Sequence, residues 1–188
     1  SPSRRQRQMC IRDRSITMRT PGDDEDLVRG FLFNERVIEK IDYIENIELA
    51  GEPVGKYKLK NKAVVTINNS ENIDIDKIKR NFLTNSSCGV CGKTSLDSLE
   101  IIKKDKIVKS FPKIKYETIM KSPNMLRQNQ SEFSKTGGIH ASGLFKFSGD
   151  IIAVKEDVGR HNALDKLIGF VLKKELLDNS SQFLTCSG

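Results

Sequence analysis

The strongest periodic signal lies towards the C-terminal end. In HNALDKLIGFVLKKELL, residues 161–177, Leu164, Leu167, Ile168, Val171, Leu172 and Leu176 recur at helical spacing and form one apolar stripe, predicting an amphipathic helix. Asn162, with Asp165 three residues on, resembles its N-terminal cap. Just before it, HASGLFKF and DIIAVKED read as two strands of a hairpin around Ser148 and Gly149. YETIMKSPNMLRQNQSEF is helical on both sides of Pro123. An interior proline loses an amide donor and clashes with the preceding turn, so Pro123 is expected to open a second helix.

The N-terminal half has weaker patterns. SITMRT alternates and predicts a strand. TPGDDEDLVRGFLFNERVI has an acidic first turn, with Leu27, Val28, Phe31 and Leu32 on one face, and predicts a helix. YIENIELA and KYKLKNKAVVTI are β-like, the second interrupted by a polar turn at residues 60–62. DIDKIKRNFL and SLDSLEIIKK predict short helices, and KIVKS a short strand. SQFLTCSG predicts a strand with no later sequence to pair with it. Strands alternating with helices need neighbours on both sides, so the chain is expected to stop inside its second domain.

These elements predict an α/β (α+β) protein. A small N-terminal α/β part covers residues 15–83, a mobile loop residues 84–95, and a second α/β domain, incomplete at its C-terminus, residues 96–188. The length of 188 residues, with 37% hydrophobic and 30% charged residues, fits a globular protein with a real core. No apolar run approaches the roughly 18 residues of a membrane span, and the N-terminus lacks the apolar centre of a secretory signal. The expected location is the cytoplasm, without membrane attachment.

The net charge of +7 points towards nucleic acid until its distribution is considered. Residues 1–14 hold five arginines against Asp13, which is +4 of the total. MCIRDR within this stretch is the translation of ATG-TGT-ATA-AGA-GAC-AG, a string resembling a sequencing-library adapter. Residues 1–14 are therefore read as a non-native arm rather than a disordered basic tail. The remaining excess is mild, and no nucleic-acid partner is expected.

With Cys10 set aside in the arm, three cysteines remain: Cys88, Cys91 and Cys186. The C-x-x-C pair in TNSSCGVCGKTS has the shape of half a zinc knuckle, but structural zinc requires four ligands and no second C-x-x-C exists. Zinc held with His140, His161 or Cys186, a redox pair, sulfur-handling thiols and an inert pair all stay open on spacing. Gly89, Gly92, Ser86 and Ser87 leave the backbone free, as a travelling thiol needs. Lys93 and a helix beginning near Thr94 would favour the thiolate.

Two more motifs carry chemistry. In TGGIHASG, Gly137 and Gly138 allow close approach of a ligand and His140 can hydrogen-bond to it; the alternative is a tight turn with His140 satisfied in the core. Ser142 stands where a zinc deaminase places its glutamate, which argues against that chemistry. In EDVGRHNALDK, Arg160 and His161 precede a strong helix whose first amides suit an anion. There the alternative makes Glu156 and Asp157 surface charges, with Arg160 paired to one of them.

Together CGVCGK, TGGIHASGLF and DIIAVKEDVGRHNALDKLIG, with TPGDDEDLVRGFL upstream, strongly resemble the FdhD (FdhD/NarQ) family, the formate dehydrogenase accessory sulfurtransferases. The likeness runs from about residue 15 to the end. It implies a small N-terminal α/β part and a cytidine-deaminase-like α/β domain, in a homodimer. It also implies a cytoplasmic sulfur carrier that accepts sulfur from a cysteine desulfurase as a persulfide. The sulfur then passes to the molybdenum cofactor, in its bis-molybdopterin guanine dinucleotide form, before insertion into formate dehydrogenase. On this resemblance Cys88 is the persulfide carrier and Cys91 its helper. Gly138, His140, Arg160 and His161 are candidates for contact with the molybdenum cofactor, which is bound as substrate; no permanent cofactor or metal is implied. Family members have a further C-terminal region that contributes to binding the nucleotide end of the cofactor.

Overall fold

A computed structural model describes residues 17–68, 113–177 and 181–187. The predicted helix of the N-terminal half forms as α1, Asp24–Asn34. A 3-10 turn at Ile41–Tyr43 leads into β1, Ile44–Ala50, which pairs antiparallel with β2, Lys62–Ile67. Then follow α2 (Tyr116–Gln128), α3 (Ser131–Thr136), β3 (His140–Lys146), β4 (Ile151–Asp157), α4 (Arg160–Lys173) and β5 (Gln182–Cys186). The second sheet is antiparallel with strand order β4-β3-β5. Both sheets are antiparallel, so the arrangement is α+β. The helices predicted over residues 74–83 and 95–104, the strand at 106–110 and the cysteine loop at 84–95 lie outside the described residues.

Three local expectations are corrected by tertiary contacts. Pro123 does not open a new helix; it lies inside α2. The carbonyl of Ile119, which loses its usual amide donor to the proline, accepts instead from the Ser122 hydroxyl at 2.9 Å. That replacement bond removes much of the usual cost of an interior proline. Residues 17–20 form no strand among the described residues: the Met18 carbonyl and the Thr20 amide and carbonyl bond to side chains of β4 and α4, not to a sheet edge. β5 needs no later sequence to pair with, because it joins β3, with Ser142 opposite Cys186 and Phe145 opposite Phe183.

The core lies on both faces of the three-stranded sheet. On one face Leu126 of α2 packs with Ala141 and Phe145, joined by Met125, Val154 and Phe183. The Phe145 and Phe183 rings stack at 5.4 Å between centroids, a favourable offset distance. On the other face Leu144, Leu167 and Val171 form the centre with Phe170. The α4 stripe is thus shifted from the one read in the sequence: Ala163, Lys166, Leu167, Gly169 and Val171 are buried, while Leu176 is exposed.

α1 lies against the outer side of α4, and two glycines set how close the helices come. A Cβ on Gly30 would collide with the Asp165 carbonyl oxygen, and one on Gly169 with that of Asp26. Because the obstacles are backbone atoms, the helices must separate to admit a methyl group. Gly30→Ala or Gly169→Ala is therefore expected to cost about 1–3 kcal/mol, seen as a lower urea midpoint with unchanged slope.

Asp165 sits in the same contact, where Asn34 Nδ2 donates to its Oδ1 at 2.6 Å. Burial pushes its carboxyl up from 3.8 to about 6, opposed by the Asn34 bond and reinforced by nearby Glu35 and Asp157. A raised carboxyl pKa means that the folded state holds the proton longer than the unfolded chain. This group therefore lowers stability as pH climbs from about 4 to about 6 and costs the full amount above that window. Asp165→Asn is expected to flatten that part of a stability–pH curve and to add about 1–2 kcal/mol at pH 7.

Candidate functional site

The motif EDVGRHNALDK spans the end of β4, a two-residue turn and the start of α4. Asp157 is the last residue of β4 and is fully buried. Its carboxylate meets Lys166 Nζ at 2.7 Å, and both side chains are almost wholly inaccessible. Oδ1 also accepts from the Gly159 amide at 2.9 Å and Asn162 Nδ2 at 3.0 Å, while Oδ2 accepts from the Thr20 amide at 3.0 Å. Lys166 completes its coordination by donating to the Thr20 and Glu156 carbonyls at 2.8 and 3.3 Å. Each buried charge is thus paired and hydrogen-bonded, the condition for its survival away from water.

Asn162 extends this network to the N-terminal segment. Its Nδ2 donates to the Met18 carbonyl at 2.7 Å, and its Oδ1 accepts from the Thr17 hydroxyl at 3.2 Å. The Val158 amide donates to Thr20 Oγ1 at 2.9 Å. Residues 17–20 are strapped across the β4–α4 junction by these bonds. Asn162 is therefore not the helix cap: the N-cap is Gly159, and no side chain caps α4. A Cβ on Gly159 would lie 3.3 Å from Asn162 Nδ2, so the bare glycine suits this tight turn.

The alternative reading of Glu156 and Asp157 as surface charges paired with Arg160 is also corrected. Asp157 is neutralised by Lys166, and the Glu156 carboxylate receives the amides of Glu132 and Phe133, each at 2.9 Å. A carboxylate there caps the start of α3 and complements its dipole. Arg160 and His161 are exposed in the first turn of α4, and neither makes a side-chain hydrogen bond or ion pair among the described residues. Two outward basic groups beside uncapped helix amides favour an anion.

His140 opens β3 directly opposite Asp157 and is half-buried. The strand pairing thus brings His140 to the end of the sheet where α4 begins. Gly138 lies two residues before it, exposed, with open space where a side chain would stand. Its neighbour Gly137 is the glycine that the backbone requires, ending α3 at φ 72° with its amide donating to the Phe133 carbonyl at 2.8 Å. Gly138, His140, Arg160 and His161 therefore share one edge of the domain. Cys88 and Cys91 lie outside the described residues. Cys186 is exposed on β5, and its Sγ accepts from the Ser142 hydroxyl at 3.4 Å. Among the described residues, no group of three or more His, Cys, Asp or Glu is placed to hold a metal.

Beside this edge opens a polar cleft of about 340 Å³, bounded by Thr20–Asp23, Ser131, Glu132, Lys155, Glu156 and Lys166. None of the four candidate contact residues lines it. Lys155 holds one wall, pairing with Asp23 at 2.8 Å and Asp26 at 3.2 Å while lying over the Phe170 ring. Sequence reasoning missed Lys155, Asp157 and Lys166 as organisers of the site. For Lys166 the available signal was its place beside Leu167, one turn after Ala163, on the side of α4 that the core must cover.

The model of the FdhD/NarQ family matches residues 9–188. The chain belongs to the FdhD/NarQ family. Proteins called sulfur carrier protein FdhD are similar to it throughout: 39% identical over 174 residues in Sulfolobus acidocaldarius, 42% over 175 in Picrophilus torridus and 41% over 178 in Streptomyces coelicolor. Each alignment covers 93% of this chain and 62% of the relative, so the chain spans about 62% of the length of those FdhD proteins. A crystal structure assigned as a formate dehydrogenase accessory protein from Desulfotalea psychrophila has the same fold. It superposes with a TM-score of 0.60 at 22% identity, over 92% of this chain and 59% of the other.

Breaking the buried pair should unsettle the strap as well as the core. Asp157→Ala is expected to cost about 3–5 kcal/mol, because it strands the Lys166 charge. Amide hydrogen exchange at Thr20 and Val158 should accelerate beyond the change expected from global stability alone.

Proposed function

We propose that this chain carries sulfur in the maturation of formate dehydrogenase. Membership of the FdhD/NarQ family over residues 9–188, in a chain with a C-x-x-C pair, carries the reading. Its support in the geometry is the edge shared by exposed Gly138, half-buried His140 and the uncapped α4 N-terminus with exposed Arg160 and His161. In the first step the Cys88 thiolate attacks the outer sulfur of a cysteine desulfurase persulfide. The sulfur–sulfur bond there breaks, the desulfurase cysteine leaves as thiolate, and Cys88 becomes the persulfide. In the second, Cys91 thiolate attacks the inner sulfur, forming a Cys88–Cys91 disulfide and releasing the outer sulfur as hydrosulfide. A cellular thiol reductant then restores the pair.

The acceptor is the molybdenum cofactor in its bis-molybdopterin guanine dinucleotide form, bound as substrate before insertion into formate dehydrogenase. Its diphosphates are anionic, and the α4 N-terminus with Arg160 and His161 is suited to one. The carrier works as a homodimer in the cytoplasm. Among the described residues no helix is long and apolar enough to cross a membrane.

Incubation with a cysteine desulfurase and cysteine, followed by intact mass spectrometry, is expected to add the mass of one sulfur, and Cys88→Ala to abolish the gain. Persistence of the adduct in that variant, or stoichiometric zinc lost on replacing Cys91, would overturn the assignment. Guanosine diphosphate is the probe for the second site. Arg160→Ala should weaken its binding by about tenfold or more, the loss typical of a charged hydrogen bond, with little change in thermal stability.

A further inference from the structure

Residues 51–62, GEPVGKYKLKNK, carry four lysines against Glu52, a net +3 in twelve residues. The hairpin they form closes on paired backbone bonds between Val54 and Leu59, at 2.9 and 3.0 Å. Its tip is held tight, with the Lys58 amide donating to the Gly55 carbonyl at 3.1 Å. Gly55 and Lys58 both have positive φ, 71° and 50°, a conformation a lysine adopts only at some cost.

Lys56, Lys58, Lys60 and Lys62 are all exposed, and none has an ion-pair partner among the described residues. Lys56 lies over the ring of Tyr57, which is 77% exposed at the tip beside Val54 at 54%. The base of the hairpin is anchored. Arg19 grips Asp24 at 2.6 and 2.8 Å and reaches the Asn61 side chain at 3.2 Å and the Lys60 carbonyl at 3.3 Å. Through Arg19 the base of the hairpin is tied to the start of α1, which lowers the ordering cost of docking.

We propose that the hairpin of residues 54–62 is a docking finger for a protein partner with a carboxylate-rich surface. The lysines supply complementary charge and steer the encounter. Tyr57 and Val54 supply the apolar contact at its centre, tyrosine being a favoured anchor in protein interfaces. A nucleic acid would use the same lysines but would gain less from an apolar tip, so a protein surface is the better fit.

The test uses the full chain, whose N-terminal arginines are common to every variant. One variant combines Lys56→Glu, Lys58→Glu and Lys60→Glu; a control of equal charge combines Lys113→Glu, Lys115→Glu and Lys121→Glu. Binding of a labelled peptide alternating glutamate with leucine, and of a labelled thymidine oligonucleotide of matched charge, is followed by fluorescence anisotropy. The hairpin variant should lose at least about tenfold in peptide affinity and the control less than about twofold, as expected of local charge complementarity. Equal losses in both variants would reduce the effect to net charge and overturn the proposal. Tighter binding of the oligonucleotide than of the peptide, abolished in the hairpin variant, would overturn it in favour of a nucleic-acid surface.

Discussion

The carboxylate of Asp157 and the ammonium of Lys166 meet at 2.7 Å in the interior, and the junction of β4, α4 and the N-terminal strap is arranged around that pair. A buried ion pair gains little over well-packed apolar side chains, but removing one partner is severely unfavourable. Its effect is therefore geometric. Asp157 gathers the Thr20 amide, the Gly159 amide and the Asn162 side chain, and Lys166 gathers two carbonyls, so five separate polar groups must come to one place. Once they do, the direction in which α4 leaves the sheet is settled.

That arrangement also decides what faces outward. With Asp157 neutralised from below and Glu156 engaged at the start of α3, no acidic side chain among the described residues caps α4 or pairs with Arg160 and His161. The helix opens with free donors and two basic residues on the surface. His140 reaches the same edge only because β3 pairs with β4 in the register that sets it opposite Asp157. Stability and binding potential are thus separated within one short motif. The buried residues hold the turn, and the exposed ones face solvent.

Much of the local structure was legible. The helix α4, the β3–β4 hairpin and the acidic opening of α1 follow from periodicity and end chemistry, which depend on residues close together in sequence. The errors share one cause. Pro123 lies inside α2 because Ser122 turns its hydroxyl to the abandoned carbonyl, and Ser122 in turn accepts from Thr185 on β5. Residues 17–20 join no sheet among the described residues because the main-chain groups of Met18 and Thr20 are taken by Asp157, Asn162 and Lys166, side chains more than a hundred residues away. Asn162 looked like a cap because its spacing allows one, yet its amide is used across the junction.

Residue order was enough to establish the family, through long motifs in a fixed succession, and the positions of most helices and strands, through side-chain periodicity. The motifs also named Cys88, Cys91, Gly138, His140, Arg160 and His161 as candidates, because few residue types are suited to sulfur transfer or to anion contact. Which charges are internal and which are offered to solvent emerged only from the folded chain. Lys166 and Arg160 are both cations near the start of α4, and the apolar neighbours of Lys166 mark its side of the helix without identifying Asp157 as its partner. The difference lies in which side of the helix meets the sheet and the strap, a property of packing between segments far apart in the chain.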